Sequence, residues 1–155
     1  MYVGHIGIAL ATKSARRDVP VAGFVGAAFL LEHFKHWLWL AVVLPAVAGL
    51  VVLARSRDTG LALLIALTAF SHFPADLVTS HLELAGGSRE IGLGWYRYPV
   101  LDLAVEGVLI LAGWRLYAED GGESRSWSQP WQLPLLITLI VSQAVFSFFV
   151  APQVV

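Results

Sequence analysis

The side chains of this sequence that could do chemistry are histidines and carboxylates spaced one helical turn apart. His72 and Asp76 are four positions apart. Asp102 and Glu106 repeat that spacing further along the chain. Residues at i and i+4 share one face of a helix, with Cβ atoms roughly 5–6 Å apart. Since imidazole and carboxylate groups together bind zinc, manganese or iron without sulfur, the spacing predicts a site for a divalent metal, zinc or manganese.

Further histidines and acids lie at a similar depth in neighbouring apolar segments. The predicted metal ligands are His5, His72, Asp76 and His81. Glu32 and Glu106 are the candidate general bases, because a carboxylate can take a proton from a metal-bound water whose pKa the metal lowers to about 7. Arg97 comes shortly before Asp102 in the sequence and is expected close to these residues, where a guanidinium could hold a phosphate or another anionic leaving group.

Other interpretations of these residues stay open. A histidine and an aspartate one turn apart can form a buried hydrogen-bonded pair that only fastens helices together. His33 and His36 lie next to a lysine and a tryptophan, two residue types that commonly lie at a membrane interface. The two histidines are therefore interpreted as interfacial side chains rather than as ligands. Membrane histidines also ligate haem or pigments, but the aspartate one turn from His72 disfavours that role. The sequence contains no G-x-S-x-G nucleophile motif.

The composition predicts that a membrane surrounds these polar residues. Of 155 residues, 57% are hydrophobic and only 14% are charged, with a formal net charge of −1. The mean hydropathy is +0.72. A soluble domain carries about 25% charged residues, so this chain has too little charge to cover a surface that faces water. A soluble enzyme, a disordered chain and a nucleic-acid-binding protein are therefore excluded. The absence of cysteine excludes disulfides and zinc–thiolate sites.

Six apolar segments predict the helices that position the polar residues. They are residues 2–12, 19–34, 37–54, 59–79, 99–117 and 132–150. Their apolar runs are continuous rather than alternating, which favours helices over a β-barrel. The first segment is shorter than the roughly 20 residues that a span needs. The predicted fold is thus an all-α transmembrane bundle, one domain over residues 1–155, with about five spans and a short N-terminal helix. Pro45 and Pro74 predict kinks.

The distribution of lysine and arginine predicts the orientation in the membrane. If each segment after the first crosses once, one side carries Lys13, Arg16, Arg17, Arg55, Arg57, Arg115 and Arg125. The other side carries Lys35, Arg89 and Arg97. The positive-inside rule places the richer side in the cytoplasm. The face that carries the histidines and most of the candidate ligands is then predicted to point outward.

Several stretches resemble the motifs of small multispanning prokaryotic membrane proteins that are predicted to be inner-membrane metal-dependent hydrolases. They are residues 4–11 (GHIGIALA), 30–32 (LLE), 71–81 (SHFPADLVTSH), 86–106 and 113–117. The most specific is the Ser-His-x-x-x-Asp-x-x-Ser/Thr-x-His run at 71–81. The resemblance implies an inner-membrane location and a metal site at His5, Glu32, His72, Asp76, His81 and Glu106. It covers about two-thirds of the chain, but an extra loop with Ser-His-Ser that relatives commonly carry before the fourth span is missing.

Two functions follow as expectations. The first is a metal-dependent hydrolase of a lipid-like ester or phosphoester, because a site at the membrane edge suits a lipid-linked substrate. The alternative is a catalytically silent accessory or structural subunit of a larger membrane complex that contacts lipid or pigment. A homodimer is a further option, since Gly7-xxx-Ala11 and Gly23-xxx-Ala27 are small-xxx-small patterns that allow close helix packing. Membrane lipids are the expected surroundings in every case.

Overall fold

The computed structural model describes residues 3–16, 18–30, 39–79, 82–83, 90–119, 130 and 132–150, and this part of the chain is predominantly helical. Its helices are α1 (Gly4–Ser14), α2 (Val21–Ala28), α3 (Leu40–Ser56), α4 (Thr59–Phe70), α5 (His72–Thr79), α6 (Pro99–Glu119) and α7 (Gln132–Val145). A 3-10 turn (Trp95–Arg97) precedes α6, and a π-helix (Phe146–Val150) extends α7. Two short antiparallel strands, β1 (Leu82–Glu83) and β2 (Glu90–Ile91), lie between α5 and α6. The predicted helical fold class is confirmed.

The fourth predicted segment is divided at Ser71, between the end of α4 and the start of α5. Pro74 lacks the N–H that would bond to the carbonyl of Phe70, so the hydrogen-bond ladder opens one turn before the proline. The Ser71 hydroxyl donates to the carbonyl oxygen of Thr68 at 2.6 Å. The break places His72 at the first position of a new helix, so the direction of its side chain depends on α5 and not on α4.

The backbones of α1 and α6 touch at two glycines. A Cβ atom on Gly7 would overlap the carbonyl oxygen of Leu109, and one on Gly113 would overlap the carbonyl oxygen of Gly7. Only glycine permits this approach, as at other small-residue helix crossings. Ile110 and Trp114 are buried beside the crossing. Gly7 is therefore used for packing between α1 and α6 within the chain, and the homodimer stays a prediction.

A second apolar cluster joins α1, α2 and α4 through Ala9, Phe24, Ala28, Ile65 and Ala69. Alanines dominate this cluster, so the three helices approach closely around Phe24 and Ile65. Next to this cluster, a lateral groove of about 470 Å³ opens between α2, α3 and α4. Gly23 and Ala27 on α2, and Leu44 and Val47 on α3, are among the apolar residues that line this groove.

The outward faces of the helices are apolar. Exposed large side chains include Val47, Leu50, Leu63, Leu67, Val108, Leu111, Ile137, Val141 and Phe149. Polar side chains are buried instead, among them His5, Thr68, His72, Asp76, Asp102, Glu106, Gln132, Gln143 and Ser147. Monomeric soluble proteins rarely expose large apolar patches, whereas here large apolar side chains are exposed on α3, α4, α6 and α7. This distribution of side chains is the one expected of a protein that is surrounded by lipid.

Two helical stretches of the described residues are long and apolar enough to cross a membrane. They are Thr59–Thr79, with 21 residues and mean hydropathy 1.7, and Gln132–Val150, with 19 residues and mean hydropathy 2.2. Leu40–Ser56 is apolar but shorter. This is fewer than the five spans predicted. Helix α6 has 21 residues, but Asp102, Glu106 and Arg115 lower its hydropathy, and α1 and α2 are short.

Candidate metal centre

Side chains from α1 and α5, next to the end of α2, form a buried polar centre. His5 lies in the first turn of α1, and His72 and Asp76 lie one turn apart on α5. One ligand atom from each of these residues lies within 4.8 Å of the other two. The residues are 0%, 1% and 4% exposed, respectively. Among the residues that the structure describes, these three form the group whose donor atoms converge closely enough to hold one metal ion.

The contacts of His72 fix the direction of its ring. Its Nδ1 lies 3.1 Å from the carbonyl oxygen of Ala28, at the end of α2. Because a carbonyl only accepts, Nδ1 carries the proton in this contact. The opposite nitrogen, Nε2, lies 3.0 Å from the Asp76 carboxylate. Metal-binding histidines commonly donate their other N–H to a backbone carbonyl in this way. A proton on Nε2, or a metal ion in its place, would join this nitrogen to the carboxylate.

His5 completes the group from α1. Its ring centroid lies 4.1 Å from that of His72 and 5.5 Å from that of Phe29. Two protonated imidazoles at this separation, away from water, would repel each other strongly. A metal ion binds the unprotonated nitrogen of a histidine, so it would take the place of a proton here without that repulsion. Two imidazoles and one carboxylate are also a common ligand set for a catalytic zinc or a non-haem iron.

Glu106 contacts this centre indirectly, by a hydrogen bond to the backbone of α1. Its carboxylate oxygen Oε2 accepts a hydrogen bond from Gly4 N at 2.8 Å. Gly4 is the residue before His5, so Glu106 holds the turn that carries this candidate ligand. Glu106 does not belong to the group of converging donors described above. Its role as a general base stays a prediction.

A second buried polar network links α6, α7 and the start of α1. The Asp102 carboxylate accepts from the Ser147 hydroxyl at 2.5 Å and from Gln143 Nε2 at 3.2 Å. Gln143 Oε1 accepts from Val3 N at 3.1 Å. Gln143 and Ser147 were not predicted, although they too are polar residues at i and i+4 within an apolar segment. Their depth in that segment is the same signal that marks His72 and Asp76, and it becomes visible when neutral polar side chains are considered together with ionisable ones.

The other predicted site residues are placed differently. Arg97 ends the 3-10 turn and is exposed, with its backbone N–H bonded to the carbonyl oxygen of Gly94. The loop before it is tied to α5, because Leu93 N donates to Leu77 O at 2.8 Å. This places Arg97 on the side of the molecule that holds α5, but it is not one of the converging donors. Glu32 and His81 lie outside the described residues, as do His33 and His36.

An ionic cluster at the protein surface joins the end of α1 to the start of α4, at the ends of these helices that lie away from His5 and His72. Arg16 bonds to Asp18 at 2.9 Å and to Asp58 at 2.7 Å. The bonds from the Arg16 guanidinium lower the pKa of Asp18 to about 2. Asp58 also caps α4 by accepting from Leu61 N, and this bond, followed by that from Arg16, lowers the pKa of Asp58. This ionic cluster thus lies away from the buried centre.

Comparison with protein-family models, with curated proteins and with solved structures finds no match to this chain. The resemblance to predicted membrane hydrolases therefore stays a prediction. The buried donor set of His5, His72 and Asp76 stands on geometry alone.

Proposed function

We propose that this protein is a multi-pass membrane protein with a divalent-metal centre at His5, His72 and Asp76, and that it hydrolyses a lipid-like ester or phosphoester. The observation that carries the proposal is the convergence of these three donors, from the start of α1 and from α5, within 4.8 Å. All three are buried in a chain with an apolar exterior. Buried ionisable groups in membrane helices are costly and by default mark a functional site.

The apolar exterior and the two long apolar helices support a location within the membrane. The proposed arrangement has about five spans, in which the shorter helix α3 and the charged helix α6 also cross the bilayer. The proposed location is the inner membrane of a prokaryote, with the metal centre toward the outer face. This orientation rests on the excess of lysine and arginine in the loops of the other side.

The proposed chemistry assigns a role to each candidate residue. His5, His72 and Asp76 hold the metal, with His81 as a further ligand. A divalent metal in this place supplies a water of lowered pKa and polarises the substrate oxygen. Glu106 or Glu32 would accept a proton from the attacking water, and Arg97 would bind an anionic leaving group. The apolar groove beside α2 supports a lipid-like substrate, because Leu30 lines the groove and the adjacent Phe29 packs on His5.

A catalytically silent accessory subunit of a larger membrane complex is the second candidate. The observation that favours it is the nearly complete burial of His5, His72 and Asp76. A centre closed in this way suits a structural metal, or a polar fastening between helices, better than it suits an entering substrate. In this alternative the apolar outer faces of the helices contact lipids, pigments or neighbouring proteins.

Metal analysis and hydrolysis by the purified full-length protein test both candidates. The Asp76→Asn variant removes a proposed ligand, and Asp18→Asn makes the same chemical change in the exposed loop. We expect the wild type and Asp18→Asn to carry about one equivalent of zinc or manganese, and Asp76→Asn to carry none. Turnover of p-nitrophenyl palmitate or a p-nitrophenyl alkyl phosphate should follow the metal content. Bound metal without turnover favours the accessory subunit, and a metal-free wild type rejects the metal centre.

A further inference from the structure

We propose that Gln143 is a positioning residue for the metal centre, which holds the first turn of α1 so that His5 stays against His72. This inference rests on the proposed metal-binding function. It assigns a role to α7, a helix that contributes no predicted ligand. Asp102 and Ser147 act with Gln143 by fixing the orientation of its side-chain amide.

The start of α1 has no cap of its own. The first backbone N–H groups of any helix lack acceptors within the helix. The N-cap residue of α1 is Val3, whose side chain cannot accept a hydrogen bond, and the first turn contains no acidic residue. The acceptors come instead from distant parts of the chain. Gln143 Oε1 accepts from Val3 N, and Glu106 Oε2 accepts from Gly4 N.

The surrounding network determines which way the Gln143 amide points. Asp102, when ionised, only accepts, so the Gln143 group that faces it must be the donor Nε2. The same Nε2 lies 2.9 Å from Ser147 Oγ, whose own hydrogen is directed to Asp102. The amide oxygen is therefore turned toward Val3 N. A reversed amide would bring its oxygen against the carboxylate and leave Val3 N facing an NH₂ group.

This capping acts on the metal centre because Val3 and Gly4 directly precede His5. The centroid of the His5 ring lies 4.1 Å from that of His72, so a small displacement of the first turn changes the separation of the donor atoms on the two rings. Ser147 lies in the π-helix that follows α7. Such local changes of helical pitch are frequent at functional sites, and this one brings a hydroxyl to Asp102 one turn beyond Gln143.

The same helix provides a matched control. Gln132 begins α7, is 1% exposed, and has no hydrogen-bond partner for Oε1 among the described residues. Gln143→Met and Gln132→Met make the same change of a buried glutamine to an apolar side chain of similar length. Only the first removes an acceptor from α1. The Ser147→Ala variant is milder, since it leaves the bonds of Gln143 to Asp102 and Val3 in place.

The experiment titrates the metal-free, full-length protein in nanodiscs with Zn²⁺ and follows amide hydrogen exchange over residues 3–10. Loss of a residue that orients a metal ligand typically weakens metal affinity 10–100-fold. We expect a loss of about that size for Gln143→Met, a smaller loss for Ser147→Ala and none for Gln132→Met. Exchange over residues 3–10 should rise for Gln143→Met, while exchange over residues 40–70 stays as in the wild type.

The two readouts separate this inference from the proposed function. Wild-type Zn²⁺ affinity in Gln143→Met, or unchanged exchange over residues 3–10, overturns the positioning role. Faster exchange throughout the molecule also overturns it, because it assigns Gln143 to general stability. A wild type that binds no Zn²⁺ rejects the proposed metal centre, and the exchange measurement then still decides whether Gln143 holds the start of α1.

Discussion

The rings of His5 and His72 lie with their centroids 4.1 Å apart, although His5 lies in the first turn of α1 and His72 begins α5. Two backbone arrangements bring them together. The crossing at Gly7 and Gly113 presses α1 against α6, and the break at Ser71 starts a new helix at His72. The centre is thus a product of helix packing, and it should respond to changes in that packing as well as to loss of its own side chains.

His72→Ala should be strongly destabilising, even without metal. The substitution removes the contact to the Ala28 carbonyl and leaves the Asp76 carboxylate buried without its histidine. Breaking a buried ionic or hydrogen-bonded pair from one side costs about 3–5 kcal/mol. Denaturant unfolding in detergent should show a loss of this order, and metal content should fall to background. Ser71→Ala, at the neighbouring half-buried position, is the control with little expected effect. A fully stable His72→Ala protein would contradict the described centre.

Gly113→Ala should separate α1 from α6. The added methyl group overlaps the carbonyl oxygen of Gly7, a backbone atom that cannot rotate away. Overpacking of this kind costs roughly 1–3 kcal/mol, and metal affinity should fall with stability because His5 moves with α1. Gly107→Ala is the control on the same helix, since no atom lies within 4 Å of its added Cβ. That variant should be neutral or gain up to about 1 kcal/mol of helix propensity. Equal unfolding curves for the two variants would contradict the crossing.

The sequence was sufficient to predict most of the helices. Continuous apolar runs determine where lipid-facing helices form, and the predicted segment 132–150 coincides with α7 and the π-helix that follows it. The i,i+4 pair of His72 and Asp76 could also be predicted, because a helical repeat brings residues of this spacing to one face. The exact position of the break between α4 and α5 was harder to predict. Pro74 indicates an opened helix, but the residue at which the new helix begins depends on packing around it.

The remaining parts of the site depend on contacts between distant segments. No local pattern indicates that α1 is capped by Glu106 and Gln143, because the capped residue, Val3, has no polar side chain to mark the position. The count of spans was also difficult to predict. The carboxylates Asp102 and Glu106 mark α6 as part of a candidate site. The same two residues lower the hydropathy of α6, by which a membrane span is recognised.

Acid should loosen the contact between the loop after α1 and the start of α4. The pKa of Asp18 is lowered to about 2 from an ordinary value of 3.8, and that of Asp58 is lowered as well. A depressed folded-state pKa contributes stability that is present above the unfolded value and lost as pH falls through the folded value. The contact should therefore be complete above about pH 4 and weaken between about pH 4 and 2. Amide exchange over residues 15–20 as a function of pH measures this.

Variants of the two aspartates identify the contact that responds to acid. Asp58→Ala should be more destabilising than Asp18→Ala, because Asp58 also caps α4 through Leu61 N. Both variants should flatten the acid response, and high salt should weaken it in the wild type, since exposed ion pairs are screened. An unchanged acid response in Asp58→Ala and Asp18→Ala would assign the transition to other carboxylates.

Substitution of Glu106 should separate its two possible roles. Glu106→Gln keeps an oxygen that can accept from Gly4 N, but it removes the charge and the capacity to take a proton. Glu106→Leu removes the acceptor as well. If Glu106 is the general base, Glu106→Gln should retain Zn²⁺ binding while hydrolysis falls about 10²–10⁴-fold, the usual contribution of general base catalysis. Glu106→Leu should lose both, because Gly4 and therefore His5 are no longer held.

Zinc titration and p-nitrophenyl ester turnover, measured on the same preparations, check this pair of variants. Full hydrolysis by Glu106→Gln would exclude Glu106 as the base and leave Glu32 as the remaining candidate, which Glu32→Gln then tests in the same assay. Weakened zinc binding by Glu106→Gln would instead show that the negative charge itself supports the centre. The outcome matters for the choice between enzyme and accessory subunit, since a carboxylate that only holds α1 in place is needed by both.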